Sequence, residues 1–206
     1  DYDDTWWSPV PLSFKMPPKK VALVTEIKGL SIDPIIKEEL NKAAKALEKS
    51  GWIIEQPKAP DFEEAAQFQA TLWLGEFRRT GGDAIKKEND PDANFIYEQM
   101  SRRCPNTSLD NFMDALQNRA KIGRDWNAFF DKYPLMLCPI TGDLPFTDLK
   151  DLESPESFDK VFDSMLPQIA TPYLGLPGLS FATGITNTNI PLGVQLISRK
   201  YREDIL

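Results

Sequence analysis

The chain has 206 residues, 41% of them hydrophobic and 27% charged, enough to bury the core of one large domain or two small ones. A net charge of −7 without any dense Lys/Arg block excludes a nucleic-acid footprint, and no apolar segment approaches the ~18 residues that span a bilayer. With no histidine, Ser-His-Asp and Cys-His catalysis and the commonest metal ligand are all excluded.

Residues 1–18 carry Trp6, Trp7 and four prolines (Pro9, Pro11, Pro17 and Pro18), a composition that predicts an extended segment. The apolar run Lys20–Thr25 reads as a buried strand. Asp33 then reads as an N-cap with Pro34 at the first helical position, followed by Ile36, Leu40, Ala43, Ala44 and Leu47 at helical spacing and a stop at Gly51. Trp52–Glu55 is a second strand, so residues 20–56 predict a strand–helix–strand unit with parallel strands and a right-handed connection.

A helix is expected over 61–79, with Phe62, Ala65, Ala66, Gln69, Leu72, Trp73 and Phe77 as its core-facing stripe and Gly81-Gly82 as its break. Further helices are expected over 93–103 and 108–132, the second capped by Ser108 and facing inward with Leu109, Phe112, Met113, Leu116, Ala120, Trp126, Phe129 and Phe130. Leu135–Pro139 reads as a central strand running into the loop 140–145, where α/β proteins place ligands. A linker over 143–156 and a helix from about Ser157 to Ala170 lead to two short apolar runs, 174–184 and 190–198, that read as adjacent buried strands. The last five residues resemble the first turn of a helix, and both ends of the chain read as cut.

Few patterns in the chain carry chemistry. Ser157-Phe-Asp-Lys160 has the Ser-x-x-Lys spacing, but the simpler reading is Ser157 as a helix N-cap. Cys104 and Cys138 form no Cys-x-x-Cys pattern, so neither a disulfide framework nor a zinc site is suggested, and a reducing, cytoplasmic setting is expected. The sequon Asn106-Thr-Ser108 reads as a chance tripeptide. Acidic pairs such as Glu63-Glu64 read as solvated faces. Gly175-Leu-Pro-Gly178 has a proline where a phosphate loop needs an N–H, and Ser180 lacks the second glycine of a nucleophile elbow.

Gly175-Leu-Pro-Gly-Leu-Ser180 and Ile190-Pro-Leu-Gly-Val-Gln-Leu-Ile-Ser-Arg199 resemble the carboxy-terminal part of the amidase signature family. Asp3-Asp-Thr-Trp-Trp7, the strand Val21–Val24 and Leu137-Cys-Pro-Ile-Thr141 fall in the same order as their family counterparts, and Pro172 and Gly178 depart from the usual residues. The resemblance implies an α/β fold: the carboxy-terminal part of the amidase signature fold, a mixed sheet flanked by helices, with residues 1–206 as one partial domain. It also implies amide hydrolysis by a lysine, a bridging serine and a nucleophilic serine, with backbone N–H groups holding the oxyanion. In the family all three side chains precede the stretch that this chain resembles, so no catalytic residue is assigned here, and the chain alone is expected to be inactive.

Candidate substrate-pocket residues are Cys138, Pro139, Ile140, Thr141, Tyr173, Leu174 and Gly175. No cofactor or metal is implied; the expected partners are a small-molecule amide and the amino-terminal half, and a homo-oligomer is compatible with the reading. The alternatives are a non-catalytic binding module derived from this fold and an unrelated two-layer α/β domain. Adjacency of residues 178–183 and 192–197 as strands separates the family reading from the last of these.

Overall fold

A computed structural model describes residues 15–104 and 107–206. Trp6, Trp7 and most of the segment expected to be extended lie outside the described residues, as does Asn106 of the sequon.

The first strand, β1 (Lys20–Leu23), leads to α1 (Pro34–Lys49), whose N-cap Asp33 accepts from the Ile35 N–H at 2.7 Å and which has Pro34 in its first turn. Strand β2 (Ile53–Glu55) lies parallel to β1, as the strand–helix–strand reading expects. Four helices follow: α2 (Phe62–Thr80), α3 (Gly82–Glu88), α4 (Pro91–Arg103) and α5 (Leu109–Lys132). Next come β3 (Leu135–Cys138), α6 (Pro155–Ser164), α7 (Leu166–Leu174) and the hairpin β4 (Gly178–Ile185) and β5 (Pro191–Ser198). The sheet order is β2-β1-β3-β5-β4, with β1 and β3 parallel and the β3–β5 and β5–β4 pairs antiparallel. Gly178 to Ala182 pair with Ile197 to Gly193, the adjacency that the family reading requires.

Strand alternation divides the core into two layers. Val21, Leu23, Leu135, Leu137, Val194 and Leu196 face α1, where Ile36, Leu40, Ala43 and Ala44 cover them. The alternate residues Val24, Met136, Cys138 and Ile197 face α2, α5 and α7, meeting Phe62, Ala65, Trp126, Phe130, Ala170 and Tyr173.

Several expectations are corrected. The helix expected over 157–170 is two helices broken at Met165, because Pro167 has no N–H with which to continue the ladder from α6. The N-cap of α6 is Ser154, not Ser157: its side chain accepts from the Ser157 N–H, and Pro155 takes the first helical position. Of the two apolar runs only β5 is buried; β4 is an edge strand, mostly exposed. Trp73 is 49% exposed although it lies on the same helical face as Ala66; at that end of α2 the buried residue is Leu74, and Trp73 lines a groove. Leu109, Met113 and Leu116 are also exposed, since α5 buries only Ala115 and, further on, Ile122, Trp126 and Phe130. The final turn, Glu203–Ile205, is a 3-10 turn that buries Ile205.

Candidate active-site wall

The parallel strands β1 and β3 end on the same side of the sheet, and the Val24 N–H donates to the Leu137 carbonyl at 2.8 Å just past β1. The segment Pro139–Gly142 emerges there, the location where open α/β sheets bind ligands. Gly142 fixes this segment in place. Its N–H donates to the Ser164 carbonyl at 2.8 Å, and its carbonyl accepts from the Asp33 N–H at 2.8 Å. One residue thereby joins the end of α6 to the start of α1. A Cβ at this position would lie 2.3 Å from the Ser31 carbonyl oxygen, so the close approach requires glycine.

The sequence-predicted site residues fall into four groups, of which residues 138–141 lead into this junction. Cys138 and Pro139 are fully buried, and the Gln195 amide Nε2 donates to the Pro139 carbonyl at 2.9 Å. Burial pushes the Cys138 thiol up to about 12, with a hydrogen bond from Gln195 opposing. Ile140 and Thr141 are half-buried at the strand end, and the Thr141 hydroxyl donates to the Asp143 carbonyl at 2.8 Å.

Tyr173 and Leu174 share the core layer of Cys138. The Tyr173 hydroxyl donates to the Ala115 carbonyl, and its ring stacks on Phe68 at 5.8 Å. Burial raises this phenol to about 12. Gly175 lies elsewhere. It ends α7 at φ 62°, beside Lys200, and the nearby Pro177 carbonyl accepts from Ser198, the residue paired with Leu135. Gly175 is therefore at the amino end of β3, while Pro139–Thr141 sit at its carboxyl end.

Next to the strand ends, a groove of about 550 Å³ opens between α2, α4, α6 and α7. Trp73 and Gly29, the latter past the end of β1, are among its lining residues. The sequence reading missed this groove. One signal could have found it, Asp159 and Asp163 at i, i+4 in a chain that also carries Arg102-Arg103; Trp73 gave none, because its spacing from Ala66 puts it on the buried face of α2.

None of these groups forms a nucleophile–base pair. The Ser157 hydroxyl is engaged by the Lys150 carbonyl at 2.6 Å, and Lys160 is exposed. Among the described residues there is no cluster of three or more His, Cys, Asp or Glu that could hold a metal ion, and no helix long and apolar enough to cross a membrane.

A model of the Amidase family matches residues 11–206. The chain belongs to this family. It is 31% identical to an indoleacetamide hydrolase of Bradyrhizobium diazoefficiens over 208 aligned residues, covering 100% of this chain and 40% of that protein. It is 30% identical to a glutamyl-tRNA(Gln) amidotransferase polypeptide of Streptococcus suis, covering 91% of this chain and 42% of the relative. Among solved structures, fatty acid amide hydrolase superposes with a TM-score of 0.76 at 16% identity, over 98% of this chain and 41% of that one. A 6-aminohexanoate cyclic dimer hydrolase gives 0.75 at 16% identity, over 100% and 48%. At such identities these superpositions establish the fold alone. The chain thus spans about two fifths of the curated amidase relatives that it matches.

Proposed function

We propose that this chain is the carboxy-terminal portion of an amidase signature hydrolase that cleaves a carboxylic amide to an acid and an amine or ammonia. In this reading the lysine, bridging serine and nucleophilic serine come from the part of the relatives that the chain does not cover. Ile140 and Thr141 form the wall nearest the substrate. Cys138, Pro139, Tyr173 and Leu174 hold that wall from behind, and Gly175 turns the chain toward the hairpin. The observation that carries the proposal is the convergence of β3, α1 and α6 on Gly142 in a chain matched by the family from residue 11 onward. Cys104 and Cys138, both free thiols, support a reducing, cytoplasmic setting.

The test joins this chain to the uncovered amino-terminal part of the Bradyrhizobium indoleacetamide hydrolase and follows ammonia release from indole-3-acetamide. The joined protein is expected to turn over, and the chain alone to give no turnover above buffer. Amide hydrolysis by the chain alone that disappears on Ser157→Ala overturns the assignment of the chemistry to the uncovered part. A non-catalytic binding module is the reading left standing if the joined protein is folded and inactive.

A further inference from the structure

We infer that the groove between α2, α4, α6 and α7 is a binding site for the uncharged, apolar body of a small molecule, and that the Arg103–Asp163 pair excludes carboxylate ligands from it. This inference deepens the amidase reading and rests on it for the statement that the ligand is the substrate's amide rather than the acid product.

Three ionised side chains line the groove, and each has its counter-charge. Glu63 accepts from Lys28 Nζ at 3.0 Å, and Lys28 also reaches Asp61 at 3.3 Å. Arg103 donates through Nη1 to Asp159 at 2.7 Å and through Nη2 to Asp163, while Arg102 reaches the same Asp159 oxygen at 2.6 Å. The Arg103 guanidinium also lies over the Phe162 ring, 4.7 Å from its centroid. Arg102 and Arg103 with Asp159 and Asp163 sum to zero, and Lys28 with Asp61 and Glu63 sums to −1. Among the described residues, an entering carboxylate therefore meets no uncommitted cation on the groove walls and gains no ion pair to offset the hydration it gives up.

What remains is apolar surface with neutral hydrogen-bonding groups. Trp73, Met100, Leu166 and Ile169 supply the apolar surface, and Gln67 and Asn111 supply amides. The volume of about 550 Å³ lies within the range of small-molecule sites. Trp73 is 49% exposed and free to stack on a planar ring, which accounts for a large aromatic left out of the core. The groove also adjoins the strand-end wall: Asp163 precedes Ser164, whose carbonyl receives the Gly142 N–H.

The test uses the 206-residue chain and three probes with one aromatic body: 1-naphthaleneacetamide, 1-naphthaleneacetate and 1-naphthylmethylamine, titrated by calorimetry at neutral pH. The amide is expected to bind at least tenfold more tightly than the acetate, and the amine, which the net −1 of Lys28, Asp61 and Glu63 does not repel, more tightly than the acetate. Trp73→Ala is expected to weaken amide binding at least tenfold with an unchanged melting temperature, since the side chain is half exposed. Asp163→Asn leaves one positive charge in excess beside Phe162, so the ratio of acetate to amide affinity is expected to rise at least fivefold.

Acetate binding equal to that of the amide or of the amine overturns the inference, as does amide binding indifferent to Trp73→Ala, an acid-to-amide ratio unmoved by Asp163→Asn, or no binding by a folded chain. Because the readout is binding, it separates from the amidase reading. Selective amide binding with an inactive joined protein leaves the groove and removes the enzyme; an active joined protein whose folded isolated chain binds no amide does the reverse.

Discussion

At the scale of single residues, Cys138 shows how position outranks chemical type. Its thiol is a potential nucleophile, but it points into the layer beneath α2, α5 and α7, and burial raises it to about 12. The thiolate is the reactive form, so at pH 8 Cys138 is almost wholly protonated and shielded as well. Cys104, at the end of α4, is partly exposed. Treating the folded chain with iodoacetamide at pH 8 is expected to label Cys104 within minutes and Cys138 only after denaturant is added, as read by peptide mass spectrometry. Equal labelling of both in the native state contradicts the placement of β3 at the centre of the sheet. Tyr173 is a second residue-scale case. Tyr173→Phe removes the donor to the Ala115 carbonyl inside the core and is expected to cost about 1 kcal/mol in urea unfolding. The apolar run that places Cys138 inside was legible in the sequence, whereas the partner of the Tyr173 hydroxyl was not, because Ala115 is 58 residues away.

At the scale of elements, the starts of α1 and α5 were legible, whereas the start of α6 at Ser154-Pro155 and the break before Pro167 were missed although both carry local signals. Asp33-Pro34 and Ser108 mark the starts of α1 and α5 within a few residues of sequence, and the structure caps both helices as expected. The break between α6 and α7 was missed because the run from Ser157 to Ala170 keeps an apolar pattern across Pro167. Its structural role depends on Gly142, which lies upstream of the whole segment and bonds to Ser164. Gly142→Ala drives a methyl group into the Ser31 carbonyl and is expected to lower stability by about 3 kcal/mol, with the loss measured by chemical denaturation. If Gly142→Ala unfolds like the parent, the three segments do not meet there.

The contact between α4 and α6 makes a pH-dependent expectation at the same scale. The Arg103 hydrogen bond is the main influence holding the Asp159 carboxyl below its ordinary value; partial burial opposes it and Arg102 adds to it. A depressed carboxylate stabilises the fold above its unfolded value and stops doing so as pH falls through its folded one. The α4–α6 contact is therefore expected to hold at pH 5 and to loosen below about pH 4, with amide exchange rising first in α4 and α6. Uniform exchange across all helices on acidification contradicts this.

At the scale of the whole molecule, the sheet has two edges without a partner strand among the described residues. The outer edge of β4 has no partner strand among the described residues, and Leu179 and Ile185 on it are 42% and 69% exposed. At the other edge, Ile53 of β2 is exposed as well. Unpaired backbone groups beside apolar side chains are a template for further strand pairing. The middle of β4 is partly protected: Thr183 is the extra residue of a bulge, and Lys42 from α1 donates to its carbonyl at 3.2 Å. That leaves residues 178–182 and Ile185 as the open stretch. The sequence marked both runs of the hairpin as apolar but held no sign of which was outermost, because an alternation of apolar and small residues fits a buried strand and an edge strand equally well.

The isolated chain is therefore expected to associate, with a light-scattering mass above 23.4 kDa on size exclusion, through β4 pairing. Ile185→Lys places a charge on that edge and is expected to shift the chain toward monomer, whereas Leu109→Lys, on the exposed face of α5, is expected to leave the mass unchanged. The opposite pattern moves the contact to the helix. A chain that is monomeric without substitution removes the edge argument altogether.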